Sequence, residues 1–563
     1  MDPFHSTRIF RRNQAEANAE GGYVLYWMQI NRRFHYNFAL EFAAEEANRL
    51  GKPLLIFEAF SCDYPWASDR THTFVMQGMA EHWNGVKAGR IEGLRPVWGY
   101  VDGFGLGDKE LDVIGGSAGH GELDAIGDSA GDEEVAEQVA RKSGAGRAFY
   151  LPFVEEKTGQ YERLLMHLIS GSAMLVTDEY PVFIMKERNK RLPAQVDVPY
   201  VTVDSNGLIP LGLTEKDPYS AYLFRKIMQR HFVESFTRPP MENPLELLTL
   251  GGESGVVSDL PNLPDVPDLH LQVAWFEGLP DAEAALTDIP AFVSRLSIDH
   301  SVGPVKLHGG RSHGLARLDA FIRNDLLEYD EKRNHPDEKK TSGLSPWLHF
   351  GHVSEVEVVQ RAIACQPKGW DLDKITYNKG SSDGFFNGNP NIDSFLDEVI
   401  TWREVGFHFA HHRDDVDRFD SLPDWALTTM DQHRDDPREW VYSYEELAQS
   451  RTHDEIWNAA QTQLREEGII HNYLRMLWGK KVIEWTPDPE TALRYLIDLN
   501  NLYAIDGRDP NSYSGIFWCF GRFDRAWQER DIFGKLRFMS SDSTRRKVRM
   551  TAYLKRYAPG RGS

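Results

Sequence analysis

Polar side chains that could hold a ligand are concentrated in one apolar, tryptophan-rich stretch, residues 471–518. Within it, Asn472, Arg475, Asn500 and Asp506 lie among apolar residues that roughly follow a helical period. A buried polar group without a partner costs roughly 1–3 kcal/mol, so these side chains need partners. They either satisfy one another or bind a polar ligand, and we favour the ligand.

A hydroxyl-rich turn suggests a second kind of chemistry. Thr341, Ser342 and Ser345 precede Pro346 and an apolar helix that begins near Trp347. Hydroxyl groups and the free N–H groups of a helix N-terminus suit a phosphate. Capping without any ligand explains most turns of this kind, so the turn alone does not identify a site.

Two carboxylates lie on a mostly buried helix predicted for residues 394–409. Glu398 and Glu404 are close in sequence to Trp402 and Arg403. A carboxylate on an apolar helix face is more often paired with an arginine than catalytic. Both interpretations stay open from these residues alone.

Histidine and tryptophan spacing is less specific. His408, His411 and His412 could face one metal ion, but no cluster elsewhere supplies further ligands, and we predict no metal site. Trp478 and Trp485 are seven residues apart, which places them on one helix face about 10 Å apart along the axis. A tryptophan stripe at that spacing is typical of a protein core.

The elements that must position these residues fall into two parts. Short buried strands and a helix ending at Gly51 form strand–helix–strand units in residues 21–234, which predict an α/β domain with a parallel, Rossmann-like sheet. The predicted strands are residues 23–28, 53–57, 174–176, 200–203 and 208–210. We expect a loose extension at 1–20, a proline-rich acidic linker at 235–300 and an all-helical domain at 301–563. In that domain, Asp488-Pro489 and a capping box over 452–455 predict helix starts.

Composition limits the class of protein. A chain of 563 residues exceeds one ordinary core, and its net charge of −22 argues against a cationic nucleic-acid coat protein. Residues 521–563 nevertheless hold 12 Lys and Arg against 4 Asp and Glu, which predicts a basic face. The 3 cysteines show no CxxC spacing, and we see no apolar run of transmembrane length. We expect a cytosolic protein.

A Gly-rich acidic repeat interrupts the predicted α/β domain. Residues 111–119 (LDVIGGSAG) recur as 123–131 (LDAIGDSAG). A phosphate-binding loop is conceivable, but the glycines do not fit the GxxxxGK[ST] pattern. We interpret the segment, about residues 100–145, as a flexible duplicated surface insertion.

An ordered set of motifs resembles the photolyase/cryptochrome family, and within it the class II photolyases of cyclobutane pyrimidine dimers. The matching pieces cover most of residues 21–555 outside the insertion. They are residues 26–29, 177–178, 329, 333–334, 341–351, 394–404, 452–454, 471–476, 506–511 and 532–539. One motif would be a weak signal, whereas the whole set in the family's order is highly specific.

The resemblance implies an N-terminal α/β domain and a helical domain that binds FAD. Thr341, Ser342, Leu344 and Ser345 would hold the phosphates, with Arg475 and Asp506 as a buried ion pair beside the flavin ring and Asn500 facing its N5. The full set assigned to FAD is Tyr329, Thr341, Ser342, Leu344, Ser345, Arg403, Asn472, Arg475, Asn500, Asp506 and Asp509. A second, antenna chromophore of the deazaflavin or folate type is left open.

The resemblance also assigns residues to the reaction. Glu398 would hydrogen-bond the dimer, Trp402 and Trp518 would pack against it, and Asn500 would tune the flavin. Trp478, Trp457 and Trp485 match the tryptophans that relay electrons to the photoexcited flavin. For binding phosphates of double-stranded DNA that carries pyrimidine dimers, the candidates are Arg537, Arg525 and Lys535.

Some residues depart from the family's pattern. Gly343 replaces a bulkier residue in the phosphate turn, and residues 31–33 differ from the antenna-domain motif. After Trp518 the run is one residue shorter, and Phe523 stands where histidine is common. We expect this last change on the DNA-facing side.

The resemblance therefore predicts a light-driven enzyme that splits cyclobutane pyrimidine dimers. The alternative on the same fold is a cryptochrome-like photoreceptor, and a helical DNA-binding protein without flavin is a more distant one. We expect a monomer without membrane contact, in the cytoplasm with DNA, or in the nucleus if the source is eukaryotic.

Overall fold

The computed structural model describes residues 4–91, 93–96, 148–248 and 288–558. The duplicated insertion at 111–131 and the middle of the predicted linker lie outside these ranges. Among the described residues, no helix combines the length and apolarity needed to cross a membrane.

A seven-stranded sheet forms the N-terminal part. Its strand order is β1-β7-β6-β2-β3-β5-β4, and only β1 runs antiparallel to its neighbour. The strands are β1 (Ile9–Arg11), β2 (Tyr23–Met28), β3 (Leu54–Phe60), β4 (Leu94–Pro96), β5 (Ala148–Val154), β6 (Ser172–Asp178) and β7 (Tyr200–Val203). The predicted parallel sheet is confirmed.

Helices cover both faces of this sheet, since its central strands are buried on both sides. They are α1 (Phe38–Leu50), α2 (Asp69–Lys87), α3 (Gln160–Ser170), α4 (Phe183–Arg191) and α5 (Ala221–Thr237). The Asn37 side chain caps α1 by accepting from the N–H groups of Ala39 and Leu40, and Gly51 ends it at φ 65°. The predicted helix end at Gly51 is confirmed.

Two expectations for this part are wrong. The N-terminal segment is not loose throughout, because Ile9–Arg11 pairs with β7 and Arg8 is buried against Asp204. Residues 208–210 form no strand. The N–H groups of Leu208 and Ile209 instead donate to the Glu404 carboxylate at 2.9 and 3.0 Å. A side chain of the helical part thus accepts the hydrogen bonds that an adjacent strand would accept in a sheet.

The C-terminal part is helical. Its helices are α6 (Ile289–Val293), α7 (Arg311–Asn324), α8 (Tyr329–Lys332), α9 (Ser345–His349), α10 (Glu355–Ile363), α11 (Pro390–Leu396), α12 (Arg403–His412), α13 (Asp424–Gln432), α14 (Tyr444–Ala448), α15 (Glu455–Glu467), α16 (Asn472–Trp485), α17 (Pro489–Tyr503), α18 (Pro510–Cys519), α19 (Ser541–Lys547) and α20 (Thr551–Arg556). The Asp488 side chain caps α17 as predicted. The expected capping box at 452–455 is wrong: Asp454 caps α15, and Thr452 donates to Asn458 instead.

The helix predicted for residues 394–409 is interrupted. Between α11 and α12, Asp397–Trp402 forms a π-helical turn. Such turns are rare, occur frequently at functional sites, and change the direction in which side chains project. This one carries Glu398 and Trp402.

Candidate functional site

Glu398 lies on the π-helical turn and is held there by an arginine. Its carboxylate accepts a hydrogen bond from the Arg333 guanidinium and remains about a quarter exposed, at 25%. Burial raises the pKa of Glu398 above its usual range, while the charge of Arg333 acts in the opposite direction. The carboxyl is therefore a group whose protonation state is balanced between two opposing effects.

Trp402 and Trp518 form an aromatic pair beside Glu398. Their ring centroids are 5.8 Å apart with planes tilted by 47°, and both rings are half-buried. Arg225 lies over the Trp402 ring at 5.9 Å, and Arg537 lies over the Trp518 ring at 5.4 Å. Fold and packing thus bring together residues that are far apart in sequence, and they place one cation at each end of the pair.

A second group of polar residues comes from α16, α17 and the turn after α17. Arg475 and Asp506 form an ion pair at 3.5 Å, with the arginine 26% exposed and the aspartate buried. The predicted ion pair is present, but it is buried only on the carboxylate side. Asn500 is buried and donates weakly to the Asn501 side chain at 3.4 Å.

Several atoms of this group have no partner within the described part of the chain. They are Oδ1 of Asp506 and both ring nitrogens of His471. Burial lowers the pKa of His471 to about 4, so its ring is neutral near pH 7. Unpaired buried polar atoms are costly, and a polar ligand seated among them would remove that cost.

Arg317 binds the backbone of the hydroxyl-rich turn. The guanidinium of Arg317 donates to the carbonyl oxygens of Ser342 and Thr341 at 2.6 and 2.7 Å. Gly343 has φ 64°, a conformation that side chains disfavour, and this accounts for glycine at this position. Within the described residues, no side chain caps the N-terminus of α9 at Leu344, and Ser345 is exposed. The turn fits a phosphate-bearing ligand.

Four residues assigned to the cofactor have other surroundings. Asp509 accepts from Tyr180, His349 and the N–H of Asn511, so both its oxygens have protein partners. Arg403 is buried and binds Glu355 and the Asn206 carbonyl. Tyr329 packs against Phe395 and beneath Arg333, on the Glu398 side. Asn472 is exposed at the start of α16.

The three remaining tryptophans lie in the helical core. Trp457 and Trp485 are in edge contact, with ring centroids 5.8 Å apart. The indole N–H of Trp457 donates to the Trp478 carbonyl at 3.0 Å, and that of Trp478 donates to Gln461 at 2.9 Å. All three side chains are buried, at 0–2% exposure. Trp457 thus contacts the Trp485 ring and the Trp478 backbone.

The basic C-terminal residues divide into free and tethered ones. Arg525 and Lys535 are exposed, whereas Arg537 donates to Asp524 at 3.0 Å and stacks on Trp527. Phe523 is buried against Phe409, with φ 65°. The ring therefore packs into the core, and the DNA-facing position of this loop stays a prediction.

Sequence reasoning missed three residues that shape the site. Arg333 holds Glu398, Arg225 covers Trp402, and Asn501 accepts from the Arg508 N–H at 2.8 Å. Arg333 lay in a matching motif and could have been paired with Glu398 by charge. Arg225 lies in the α/β part, and no sequence pattern near it indicated a contact with Trp402.

Comparisons with known proteins find photolyases. The chain is 31% identical to the deoxyribodipyrimidine photo-lyase of Methanothermobacter thermautotrophicus over 553 residues, 98% of each chain. It is 33% identical to that of Potorous tridactylus over 69% of this chain and 65% of the relative, and 30% identical to that of Oryza sativa over 74% and 75%. No protein-family model matches.

A solved structure supports the fold. A bacterial class III photolyase from Agrobacterium tumefaciens superposes with a TM-score of 0.55 at 17% identity, covering 96% of this chain and 87% of that one. The likeness over nearly the full length of the Methanothermobacter enzyme, together with the α/β-plus-helical architecture, shows that this chain belongs to the photolyase/cryptochrome family. Within that family it stands with the enzymes, the DNA photolyases.

Proposed function

We propose that this photolyase splits cyclobutane pyrimidine dimers in double-stranded DNA, with the dimer flipped out of the helix against Trp402 and Trp518. The observation that carries the proposal is the quarter-exposed carboxyl of Glu398 on the same π-helical turn as Trp402, whose ring pairs with Trp518. A flipped base needs stacking walls and a polar group for its edge, and a damaged pair unstacks at lower cost than an intact one.

Arg333 orients the Glu398 carboxyl, which we assign to lesion binding. One Glu398 oxygen binds the guanidinium, which leaves the other to meet the lesion's base edge. Its raised pKa favours a shared or retained proton at that oxygen. A carboxyl that keeps its proton can donate to a pyrimidine carbonyl, and this donation would strengthen as negative charge develops there.

The polar group around Arg475 and Asp506 and the hydroxyl-rich turn fit FAD, which when bound supplies the light-driven electron donor. Thr341, Ser342 and Ser345 would bind its phosphates. Asp506 and Asn500 would provide hydrogen-bond partners to its ring system, with Asp506 fixed by Arg475. These assignments rest on the free hydroxyls of the turn and on the unpaired Oδ1 of Asp506.

The buried tryptophans support an electron relay. Edge contact between Trp457 and Trp485, and the hydrogen bond from Trp457 to the Trp478 backbone, give a continuous path within the helical core. Hydrogen-bonded indoles are held in one orientation. We assign to these three residues the supply of electrons that keeps the enzyme reduced.

An antenna chromophore has a candidate place as well. A cavity of about 60 Å³, which has room for only part of a chromophore, lies where β2 and β3 end, lined by Gln29, Arg32, Phe60 and Tyr64 and by Arg508 of the helical part. Ligands of open α/β sheets bind outside the carboxyl ends of the strands. Arg32 is paired with Glu58 at 3.1 Å, which supports a fixed cation in the wall.

The test is illumination of the reduced holoenzyme with an oligonucleotide that contains one thymine dimer. Restored thymine, measured by chromatography, is the expected result. If the flavin photoreduces while no thymine is restored, the photoreceptor alternative replaces repair. Comparing a dimer-free oligonucleotide of the same sequence controls for photochemistry unrelated to the lesion.

A further inference from the structure

An exposed surface of α5 and the loop after residue 375 has no role in the site described above. We define the α5 surface as Tyr222, Lys226 and Arg230 of α5 with Tyr377 and Lys379 of the loop. The three helix residues are spaced by four, so they lie in one row along the helix. Tyr222 is 50% exposed and Tyr377 is 42% exposed.

Cations and aromatic rings alternate on this surface. The Lys226 ammonium lies 4.4 Å from the Tyr222 ring centroid, and the Arg230 guanidinium lies 5.0 Å from that of Tyr377. Among residues 4–91, 93–96, 148–248 and 288–558, no carboxylate forms an ion pair with Lys226, Arg230 or Lys379. These cations therefore lack a direct carboxylate partner within the described residues, although the chain as a whole carries a net charge of −22.

The loop is fixed rigidly against the helix. Gln229, which is buried, accepts from the N–H groups of Asn378 and Gly380 at 3.1 and 2.8 Å and donates to the Ser381 carbonyl at 2.6 Å. A side chain at Gly380 would meet the Tyr222 carbonyl at 2.9 Å. Lys379 has φ 53°, a strained conformation that persists where the surroundings impose it.

The α5 surface is linked to the proposed lesion site through α5 itself. Arg225, next to Lys226, binds Asp397 through two hydrogen bonds of 2.8 and 2.9 Å and lies over Trp402. Arg537 occupies the matching position over Trp518, at the other end of the aromatic pair. Each ring of the aromatic pair thus carries an arginine, one from α5 and one from the C-terminal residues.

We propose that the α5 surface binds the DNA strand on one side of the lesion, while the Arg537 side binds the other flank. Lys226, Arg230 and Lys379 contact phosphates, and the exposed Tyr222 and Tyr377 rings stack on bases loosened by dimer extrusion. Cations without ion-pair partners among the described residues, interleaved with exposed rings, suit nucleic acid whose bases are not fully paired. This inference rests on the proposed repair function and adds a second, independently placed contact.

The first test measures affinity of the flavin-loaded enzyme for a duplex with one central thymine dimer. The Lys226→Ala/Arg230→Ala variant removes two phosphate contacts, so the slope of log affinity against log salt falls by about 2. The Tyr222→Ala/Tyr377→Ala variant weakens binding about tenfold or more, from lost stacking. Lys52→Ala is the matched control, since Lys52 precedes the amino end of β3.

The second test separates direct contact from general damage. Duplexes are shortened on the 5′ or the 3′ side of the lesion. The penalty of the α5 variants disappears when one flank is missing and persists when the other is missing, and Arg537→Ala shows the reverse pattern. Flavin content and thermal midpoint are measured for each variant.

Two outcomes decide the proposal. If the wild-type enzyme binds and repairs the dimer while both α5 variants behave like Lys52→Ala, the α5 surface does not contact DNA. Equal penalties with either flank missing also overturn it. If the wild-type enzyme does not bind dimer-containing DNA at all, the proposed function itself fails, which is a distinguishable result.

Discussion

Two groups of tryptophans lie in opposite surroundings. Trp402 and Trp518 are half-buried, contact each other, and carry an arginine at each outer side. Trp457, Trp478 and Trp485 are buried at 0–2% exposure, and the indoles of the first two donate to protein acceptors. The same residue type is thus partly exposed next to arginines in one place and fully buried in the core in the other.

The difference teaches that surroundings decide what a tryptophan can do. A half-exposed ring can gain a stacking partner from solvent, whereas a fully buried one has its partners already. Arginine over a ring adds positive potential that favours an anionic polymer. We therefore assign substrate contact to the first group and internal electron transfer to the second. The following experiments test that assignment.

The largest expected effect is on photoreduction. Trp485→Phe keeps an aromatic ring in the core but removes the residue that contacts Trp457, so light-driven reduction of the oxidised flavin should nearly disappear. Repair by enzyme reduced chemically beforehand should persist. Transient absorption and the dimer assay check the two halves. Loss of both, with flavin content unchanged, would contradict the separation of relay from repair.

His471, at the start of the helix that carries Trp478 and Trp485, should make stability depend on pH. Its pKa falls from 6.5 to about 4 on folding, so the unfolded chain binds more protons between these values. Its contribution is complete above pH 6.5 and is lost as pH falls towards 4, by at most about 3 kcal/mol. Denaturant midpoints of wild type and His471→Phe against pH measure it. If the midpoints of the two proteins change with pH in parallel, the His471 ring is not buried away from water.

Glu398→Ala should lower repair yield about tenfold, because it removes one hydrogen bond to a group on which negative charge develops. Flavin content should change little, because Glu398 binds Arg333 and not the phosphate turn. Glu398→Gln, which keeps a donor, should fall between wild type and alanine. Equal losses of flavin and repair would place Glu398 in cofactor retention instead.

The smallest effect is expected for Trp402→Ala, which should weaken dimer-DNA binding by about fivefold, at the lower end for loss of one stacking surface. Trp518 and its arginine remain to hold the lesion. Titration with fluorescent dimer DNA measures the change, and undamaged DNA serves as control. An equal loss for undamaged DNA would show that Trp402 does not read the lesion.

Local rules predicted much of the fold. The strands at 23–28 and 200–203, the helix end at Gly51 and the cap at Asp488 depend on neighbouring residues, and the structure has them as expected. Motif order also predicted the family, which the full-length relatives confirm. The roles assigned to individual site residues stay predictions, because they concern bound molecules.

Tertiary structure decided the rest. The π-helical turn at Asp397–Trp402, the salt bridge of Glu398 with Arg333 and the use of Glu404 to bind the backbone at 208–209 depend on residues up to 196 positions apart. The inward turn of Phe523 likewise depends on Phe409. Sequence by itself determined which chemical groups are available and where helices and strands begin. Only the packed chain decided which groups meet, because long-range contacts arise from the mutual fit of surfaces that no local pattern contains.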